Sequence, residues 1–338
     1  MFELLGISLA LASLLIFNSL TSVATAGLWR LLGRAARGYC AIARARLLFA
    51  LRVVPALLSI LVVVFLLVPS YLAYEPRHTN ENVSVKMGIL AFLSAIGLGL
   101  AIVRSFAAWR ATARLTADWL LHSERITLAG IDIETFRIDH AFPVIAIVGI
   151  WHPRLFVASH VLEMLTPEEI TASIAHENSH LSARDNLKRG LLRACRDALL
   201  IIPSGRSLDR AWSEAAEEAA DESAARRAHD VALDLASALV KIARNIPNGA
   251  RPAMPAGVFL IGEELAGNDE VSGIKIRVGR LMVLAGGSSE PSNRQISDSL
   301  LFWILSGLLL SLVVIIINAP LVFSSVHSLI EHAVFMLR

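Results

Sequence analysis

The segment Ala175-His176-Glu177-Asn178-Ser179-His180 contains two histidines four positions apart, with a glutamate directly after the first. Residues four apart lie on one face of a helix, so His176 and His180 could bind one zinc ion. Zinc lowers the pKa of a bound water to about 7, and the Glu177 carboxylate could accept its proton. The spacing therefore predicts a zinc-dependent peptidase that hydrolyses a protein or peptide substrate, with Glu177 as general base.

A catalytic zinc site needs a third protein ligand as well as an open position. Four acidic residues recur at positions i, i+3, i+4 and i+7, which places them on one helix face; they are Glu214, Glu217, Glu218 and Asp221. Neighbouring carboxylates repel one another, and a cation opposite them would relieve this; the candidates are zinc, Arg184, Lys188 and Arg189. One of the four acids is expected to complete the site, and the spacing alone does not choose which.

Two aspartates are candidates to orient the ligand histidines, because a zinc-bound imidazole usually donates its other ring N–H. They are Asp185, shortly after His180, and Asp221, at the end of the acidic stripe. Asp185 could equally form a local ion pair at the end of its helix.

The elements that must position these residues are short strands followed by helices. Strands are predicted at residues 131–133, 144–150 and 155–158. The helix that carries the histidines should begin after Thr166, with Pro167 first and Glu169 completing a capping box, and end near Asp185. Further helices are predicted at about 189–202 and from about 208 to at least 226.

The rest of the chain is apolar. Of its 338 residues, 55% are hydrophobic and only 18% are charged, whereas soluble domains carry about 25% charged residues. A membrane helix needs about 20 mainly apolar residues, and four stretches qualify: residues 4–28, 53–74, 88–109 and 299–323. We expect an α-helical membrane protein with four transmembrane helices and an inserted α+β peptidase domain. The expected parts are a membrane domain (1–109), the peptidase domain (110–298), the fourth helix (299–323) and a short tail (324–338).

Arginines in the first connection predict the orientation, because loops rich in Lys and Arg stay cytoplasmic. This connection has no acidic residue and contains Arg30, Arg34, Arg37, Arg44, Arg46 and Arg52. Arg110 and Arg114 follow the third apolar stretch. The peptidase domain is therefore expected in the cytoplasm and both termini outside.

Other classes of function fit less well. The net charge is +2 without a basic tract that carries aromatics, so nucleic acid is not an expected partner. Two cysteines are too few for a disulfide framework. The spans hold almost no acidic residues, which leaves a transporter without an ion pathway. A non-catalytic membrane signalling component with a structural metal remains an alternative, although such a site needs no base at Glu177. The oligomeric state is not predicted.

Several segments, taken in order, resemble the BlaR/MecR-type membrane metallopeptidases. They are Ala141-Phe142-Pro143 through Gly149, Pro153-Arg154-Leu155-Phe156-Val157, Leu165-Thr166-Pro167-Glu168-Glu169-Ile170, His176-Glu177-Asn178-Ser179-His180, Arg184-Asp185-Asn186-Leu187 and Glu217-Glu218-Ala219-Ala220-Asp221. The similarity extends over roughly residues 1–325 and is sharp only from about 140 to 222. HtpX and CAAX prenyl proteases show a related pattern with differently arranged spans, and they imply a quality-control or processing peptidase instead.

The resemblance implies a gluzincin-type domain with one zinc ion, in a bacterial inner membrane, with a possible part in regulatory signalling. It implies Glu217 as the third ligand, four residues before Asp221. It also implies an edge strand that pairs with an extended substrate, through Val144, Ala146 and Val148. The sensor members carry a β-lactam-binding domain after the last span, which this sequence lacks, so antibiotic sensing is not expected.

Overall fold

Three apolar helices dominate the first third of the chain in this computed structural model, which describes residues 2–36, 38–77, 83–128, 131–198, 204–226, 229–246, 270–286 and 319–337. Helix α1 is Phe2–Ala36; α2 (Ala41–Val62) continues through a π-helical turn (Val63–Leu67) into α3 (Val68–Tyr74); α4 is Val85–Leu121. Among the described residues, these are the three helices long and apolar enough to cross a membrane. They match the first three predicted spans, and each of them extends beyond its predicted stretch, α2 by beginning at Ala41.

The predicted fourth span lies mostly outside the described residues. Its last residues begin helix α11 (Ala319–Leu337), which packs against α3 and the π-helical turn. The Ser70 hydroxyl donates to the Phe323 carbonyl at 2.6 Å. The segment expected to be a short tail is therefore helical up to Leu337.

A four-stranded sheet follows α4, in the order β1-β2-β4-β3. Its strands are β1 (Ser123–Ile126), β2 (Thr135–Ile138), β3 (Ile145–Val148) and β4 (Arg154–Ala158). Strand β4 pairs parallel with β2 and antiparallel with β3, and β1 pairs antiparallel with β2. Strands β3 and β4 agree with the prediction, whereas the strand predicted at 131–133 is wrong and the two neighbouring strands were missed. Strands β1 and β2 carry Glu124, Arg125 and Arg137 on exposed faces, so no apolar run marks them.

In the part of the chain that the structure describes, six helices lie between the sheet and α11. They are α5 (Ser159–Met164), α6 (Pro167–Ala183), α7 (Asp185–Ala198), α8 (Ser204–Ala225), α9 (His229–Arg244) and α10 (Glu270–Ala285). The sheet, α6, α9 and α10 share one hydrophobic core, which includes Phe156, Ile174, Leu239 and Leu281. Helix α7 begins about four residues before its predicted start, because Arg184 adopts a left-handed conformation that ends α6 and lets the chain turn directly into a new helix.

The domain docks on the membrane helices through α2 with α8 and through α4 with α7. Leu48 of α2 packs with Leu208 and Trp212 of α8 in a second apolar core. Two arginines of the basic first connection reach the same helix: Arg44 pairs with Glu218, and Arg52 donates to Asp209 at 3.0 Å. The first connection and the domain that contains the sheet and helices α5 to α10 therefore lie at the same end of the three apolar helices.

Candidate metal centre

Helix α6 brings the two histidines and the glutamate into the interior of the domain. The Thr166 hydroxyl accepts from the Glu169 N–H at 3.3 Å, and the Glu169 carboxylate accepts from the Thr166 N–H at 2.8 Å. This is the predicted capping box, with Pro167 in the first turn. Because the cap sets where α6 begins, it also sets which residues face α8, α9 and β3.

Three side chains converge where α6 meets α8. His176, His180 and Glu217 are buried, and their ligand atoms lie within 4.8 Å of one another. The two Nε2 atoms are 3.2 Å apart, and Glu217 oxygens lie 3.5 Å from Nε2 of His176 and 3.7 Å from Nε2 of His180. A tetrahedral zinc ion with Zn–N bonds of about 2.0–2.1 Å holds two ligand nitrogens about 3.3 Å apart. These three residues could therefore hold a metal ion.

An aspartate stands behind each histidine. Nδ1 of His180 lies 2.9 Å from Oδ2 of Asp185 in a buried hydrogen bond. Nδ1 of His176 lies 2.9 Å from Oδ1 of Asp221, an ion-pair distance without hydrogen-bond geometry. Both contacts favour a proton on Nδ1, which turns the lone pair of each Nε2 toward the other. Two lone pairs at this separation repel, so the arrangement suits a shared cation.

Arg277 of α10 is a member of this site that sequence reasoning missed. Its guanidinium donates to both carboxylate oxygens of Asp221, at 2.9 and 2.7 Å, and lies 3.0 Å from Oε2 of Glu217. One buried cation thus spans the acidic ligand and the aspartate behind His176. A signal was present, since Arg277 and Arg280 lie three residues apart in a mostly apolar segment.

The charges around the histidines favour positive charge at the centre. Burial by itself would lower the pKa of His176, but Asp221 and Glu217 outweigh it and raise the pKa to about 9. Burial lowers the pKa of His180 despite Asp185. Burial would raise the pKa of Glu217, yet Arg277 and the two histidines lower it to about 2. The site therefore combines an ionised Glu217 carboxylate with one imidazole, His176, that favours the protonated form and another, His180, that favours the neutral form.

Glu177 is buried and its carboxylate is unsatisfied. Neither oxygen meets the distance and angle of a hydrogen bond with a described residue, although the Ile147 backbone N–H on β3 lies near enough to stabilise the carboxylate. Burial raises the pKa of Glu177 to about 8, against a lowering influence of His176 and of the Ile147 backbone N–H on β3. Buried polar groups are nearly always hydrogen-bonded, so an unpartnered carboxylate beside a candidate metal site has the character of an acid–base group.

No described strand pairs with β3 on the side away from β4, which we call its free edge. The Ala158 N–H donates to the Val144 carbonyl at 2.9 Å, and the register then turns the main-chain groups of Val144, Ala146 and Val148 toward β4. The groups of Ile145 and Ile147 face the free edge instead. The three residues that the resemblance implied for substrate pairing are thus already used within the sheet.

Asn186 covers part of this free edge. Its side-chain amide donates to the carbonyls of Ile147 at 3.0 Å and Gly149 at 3.2 Å. Gly149 has a φ of +106°, and a Cβ there would lie 2.7 Å from the His152 carbonyl oxygen. Only glycine therefore suits the turn that presents the Gly149 carbonyl to Asn186.

The acidic stripe is neutralised differently from the expectation. Glu214 is exposed and pairs with Arg210 of its own helix. Glu218 pairs with Arg44 of α2 and with Arg280 of α10. Lys188, one of the three expected partners, pairs with Asp185. Arginines of α10 and α2 pair with Glu217, Glu218 and Asp221 of the stripe, because both helices pack against α8.

The site opens on a small cavity. A cavity of about 310 Å³ lies beside His180 and Asp185 and is bounded by Ile147 of β3, Asn186 and Trp151.

The sequence matches no protein-family model and no curated protein. What the site can do therefore follows from its own residues.

Proposed function

We propose that the protein is a membrane-bound zinc peptidase with His176, His180 and Glu217 as metal ligands and Glu177 as general base. The observation that carries the proposal is the buried, unpartnered Glu177 carboxylate directly beside the convergent ligand set. A structural metal site needs the three ligands but has no use for an unsatisfied carboxylate, which costs free energy when buried. That cost argues against a non-catalytic metal-binding component.

Each residue of the proposed site has a separate role in peptide hydrolysis. A zinc ion held by His176, His180 and Glu217 would polarise a peptide carbonyl and make a water molecule more acidic. Glu177 lies directly beside the ligand set, where its ionised carboxylate could accept a proton from the attacking water and return it to the departing amine. Asp185, Asp221 and Arg277 hold the ligands in place. Peptide hydrolysis then needs an extended substrate beside Glu177.

The free edge of β3 is the part of the domain best suited to bind that substrate. A peptide added to the edge would pair with main-chain groups of Ile145 and Ile147. Because Asn186 holds the Ile147 carbonyl, a substrate N–H would have to displace the Asn186 amide there. We therefore assign the pairing role to Ile145 and Ile147, and to Asn186 a gating contact at the end of the edge.

We also propose that the domain is of the gluzincin type and lies on the cytoplasmic side of a bacterial inner membrane. The domain type and the membrane rest on the resemblance, and the side rests on the arginines of the first connection. The substrate is a cytosolic or membrane-proximal protein.

The test compares Glu177→Gln with Glu168→Gln in purified full-length protein. Glu168 lies exposed in the first turn of the same helix. Glu177→Gln should keep its zinc, because the three ligands remain, and lose roughly 10²–10⁴-fold of casein cleavage. Glu168→Gln should keep both its zinc and its casein cleavage. Comparable cleavage by the two variants, or wild-type protein that binds zinc and never cleaves, would overturn the proposal and favour a metal-binding signalling component.

A further inference from the structure

A long groove runs between the third spanning helix and the helix that follows the metal site. We call it the α4–α7 groove; it encloses about 870 Å³ and is lined by one face of α4 from Arg104 to Leu120, by α7, and by the β3–β4 turn. The lining of α4 follows helical spacing and is made mostly of small residues such as Ala113. A face of small residues keeps the two helices from filling the space between them.

The groove lies next to the cavity beside His180. Its lining shares Gly149, Ile150, Trp151 and Leu187 with the cavity beside His180. Helix α7 spans the distance between the His180 side chain and the bilayer end of the groove. Asp185 at its start contacts His180, and Asp197 near its end pairs with Arg104 of α4 at 2.9 Å. Twelve residues at about 1.5 Å each separate the two contacts by about 18 Å.

The two ends of the groove differ in chemistry. Arg104 is about 62% exposed, and it lies at the bilayer end with Arg193, Arg196 and Asp197. Asp197 pairs with Arg104, and Asp209, which lies outside the groove, is 3.9 Å from Arg196. At the metal end, Arg154 pairs with Glu134, while the side chains of Trp151 and Ile150 are exposed and apolar. The lining therefore carries three arginines and one aspartate at the bilayer end, and one arginine beside exposed apolar side chains at the metal end.

We propose that this groove binds an extended segment of a membrane-anchored protein as it leaves the bilayer and leads it to the metal centre. The segment would carry acidic residues next to its span and apolar residues after them. An extended chain advances about 3.3 Å per residue, so about six residues cover the 18 Å between the groove's ends. A phospholipid headgroup occupies only the bilayer end, so the length of the groove favours a polypeptide. This inference rests on the proposed peptidase function, since it names that enzyme's substrate class.

Binding is tested without cleavage, in the Glu177→Gln protein reconstituted into phosphatidylcholine vesicles. The probe is a synthetic peptide with an apolar span of about 20 residues followed by an extended linker with aspartates beside the span. A photoreactive residue at Thr112 in the groove should cross-link this peptide about tenfold more than one with lysines instead of aspartates, by the complementarity of charge at the bilayer end. The same linker without a span should cross-link weakly.

Two alanines on α4 provide the matched control. Ala113 lines the groove and Ala111, also exposed, does not. Ala113→Trp should remove most of the cross-linking, and Ala111→Trp should leave it unchanged. Equal yields for the aspartate and lysine probes, or equal effects of the two tryptophans, would overturn the proposal. Cross-linking to phospholipid alone would make the groove a lipid site, and equal capture of the soluble linker would remove the requirement for an anchored partner.

A cleavage series separates this inference from the proposed function. Zinc-loaded wild-type protein should cut probes whose linkers reach the metal centre, about eight residues or longer, and spare those of about three. Cleavage that does not depend on linker length would overturn the route through the groove while leaving the peptidase intact. Cross-linking in the groove without cleavage of any probe would instead refute the peptidase and the delivery step together.

Discussion

At the scale of single residues, Glu217 and Glu218 are neighbours on α8 with different partners. Glu217 faces His176 and His180, whereas Glu218 faces Arg44 and Arg280. Glu217→Ala should therefore lose the bound metal, and Glu218→Ala should keep most of it. Metal content by mass spectrometry of the purified variants decides this. Metal loss confined to Glu218→Ala would mean that the register of α8 against α6 is shifted by one residue.

Arg277 is expected to act on metal affinity through the residues it holds. Its guanidinium fixes Asp221 and approaches Glu217, so Arg277→Gln should loosen both and weaken zinc binding by about 10–100-fold, as removal of groups behind metal ligands usually does. Competition with a chelator measures the affinity.

Arg280→Gln is the matched control, since Arg280 pairs with Glu218 and Glu222 on the same helix face and touches no ligand. A merely structural role for Arg277 would lower the thermal midpoint of both variants equally and leave zinc affinity unchanged in both. Arg277→Lys should recover part of the affinity, because it restores the charge without the two-pronged contact.

At the scale of elements, the start of α6 depends on Glu169. Its buried carboxylate accepts from the Thr166 N–H, from the Ser237 hydroxyl at 2.6 Å and from Lys241 at 2.7 Å, so it joins the cap of α6 to α9. Glu169→Ala should lower the free energy of unfolding by about 2–4 kcal/mol, from the lost cap and the lost charged hydrogen bonds. Glu168→Ala, exposed one residue earlier, should change it by about 0.5 kcal/mol or less. Chemical denaturation of the two variants measures the difference.

The same carboxylate makes stability depend on pH. Burial would raise the pKa of Glu169, but Lys241, Ser237 and the Thr166 N–H outweigh it and hold the pKa below its usual value of 4.5. A lowered pKa in the folded state means that the contribution is fully present above about pH 4.5 and is lost as the pH falls through the lowered pKa. Glu169→Gln should flatten this acid dependence. Equal slopes for wild type and Glu169→Gln below pH 4.5 would contradict the assignment.

At the scale of the whole molecule, the arginines of the first connection predict the orientation in the membrane and also contact another helix. Their charge predicts that this connection is cytoplasmic, and in the structure Arg44 and Arg52 also contact α8. We expect a phosphatase reporter fused after Ala198 to be inactive and one fused after Arg77 to be active. Activity of the fusion after Ala198 would reverse the orientation, while the docking of α8 on α2 would stay as described.

Much of this protein was predictable because it depends on residues close together in the chain. The apolar spans, the capping box at Thr166 and Glu169, and the pairing of His176 with His180 on one face of α6 all follow from neighbours within a few turns. These features are local, so the amino-acid order determines them before any distant contact forms.

The tertiary structure decided what depends on distant elements. It brought Glu217, rather than another acid of the stripe, within reach of the Nε2 atoms of both histidines, and it supplied Arg277 from about 100 residues after α6. It also turned Ile145 and Ile147 to the free edge of β3, because strand register is set by the partner strand. Burial and the unpartnered state of Glu177 arise only when α6, α8 and β3 exclude water together. For that reason the sequence predicted which residues could do chemistry, and only the packing determined how their charges are held.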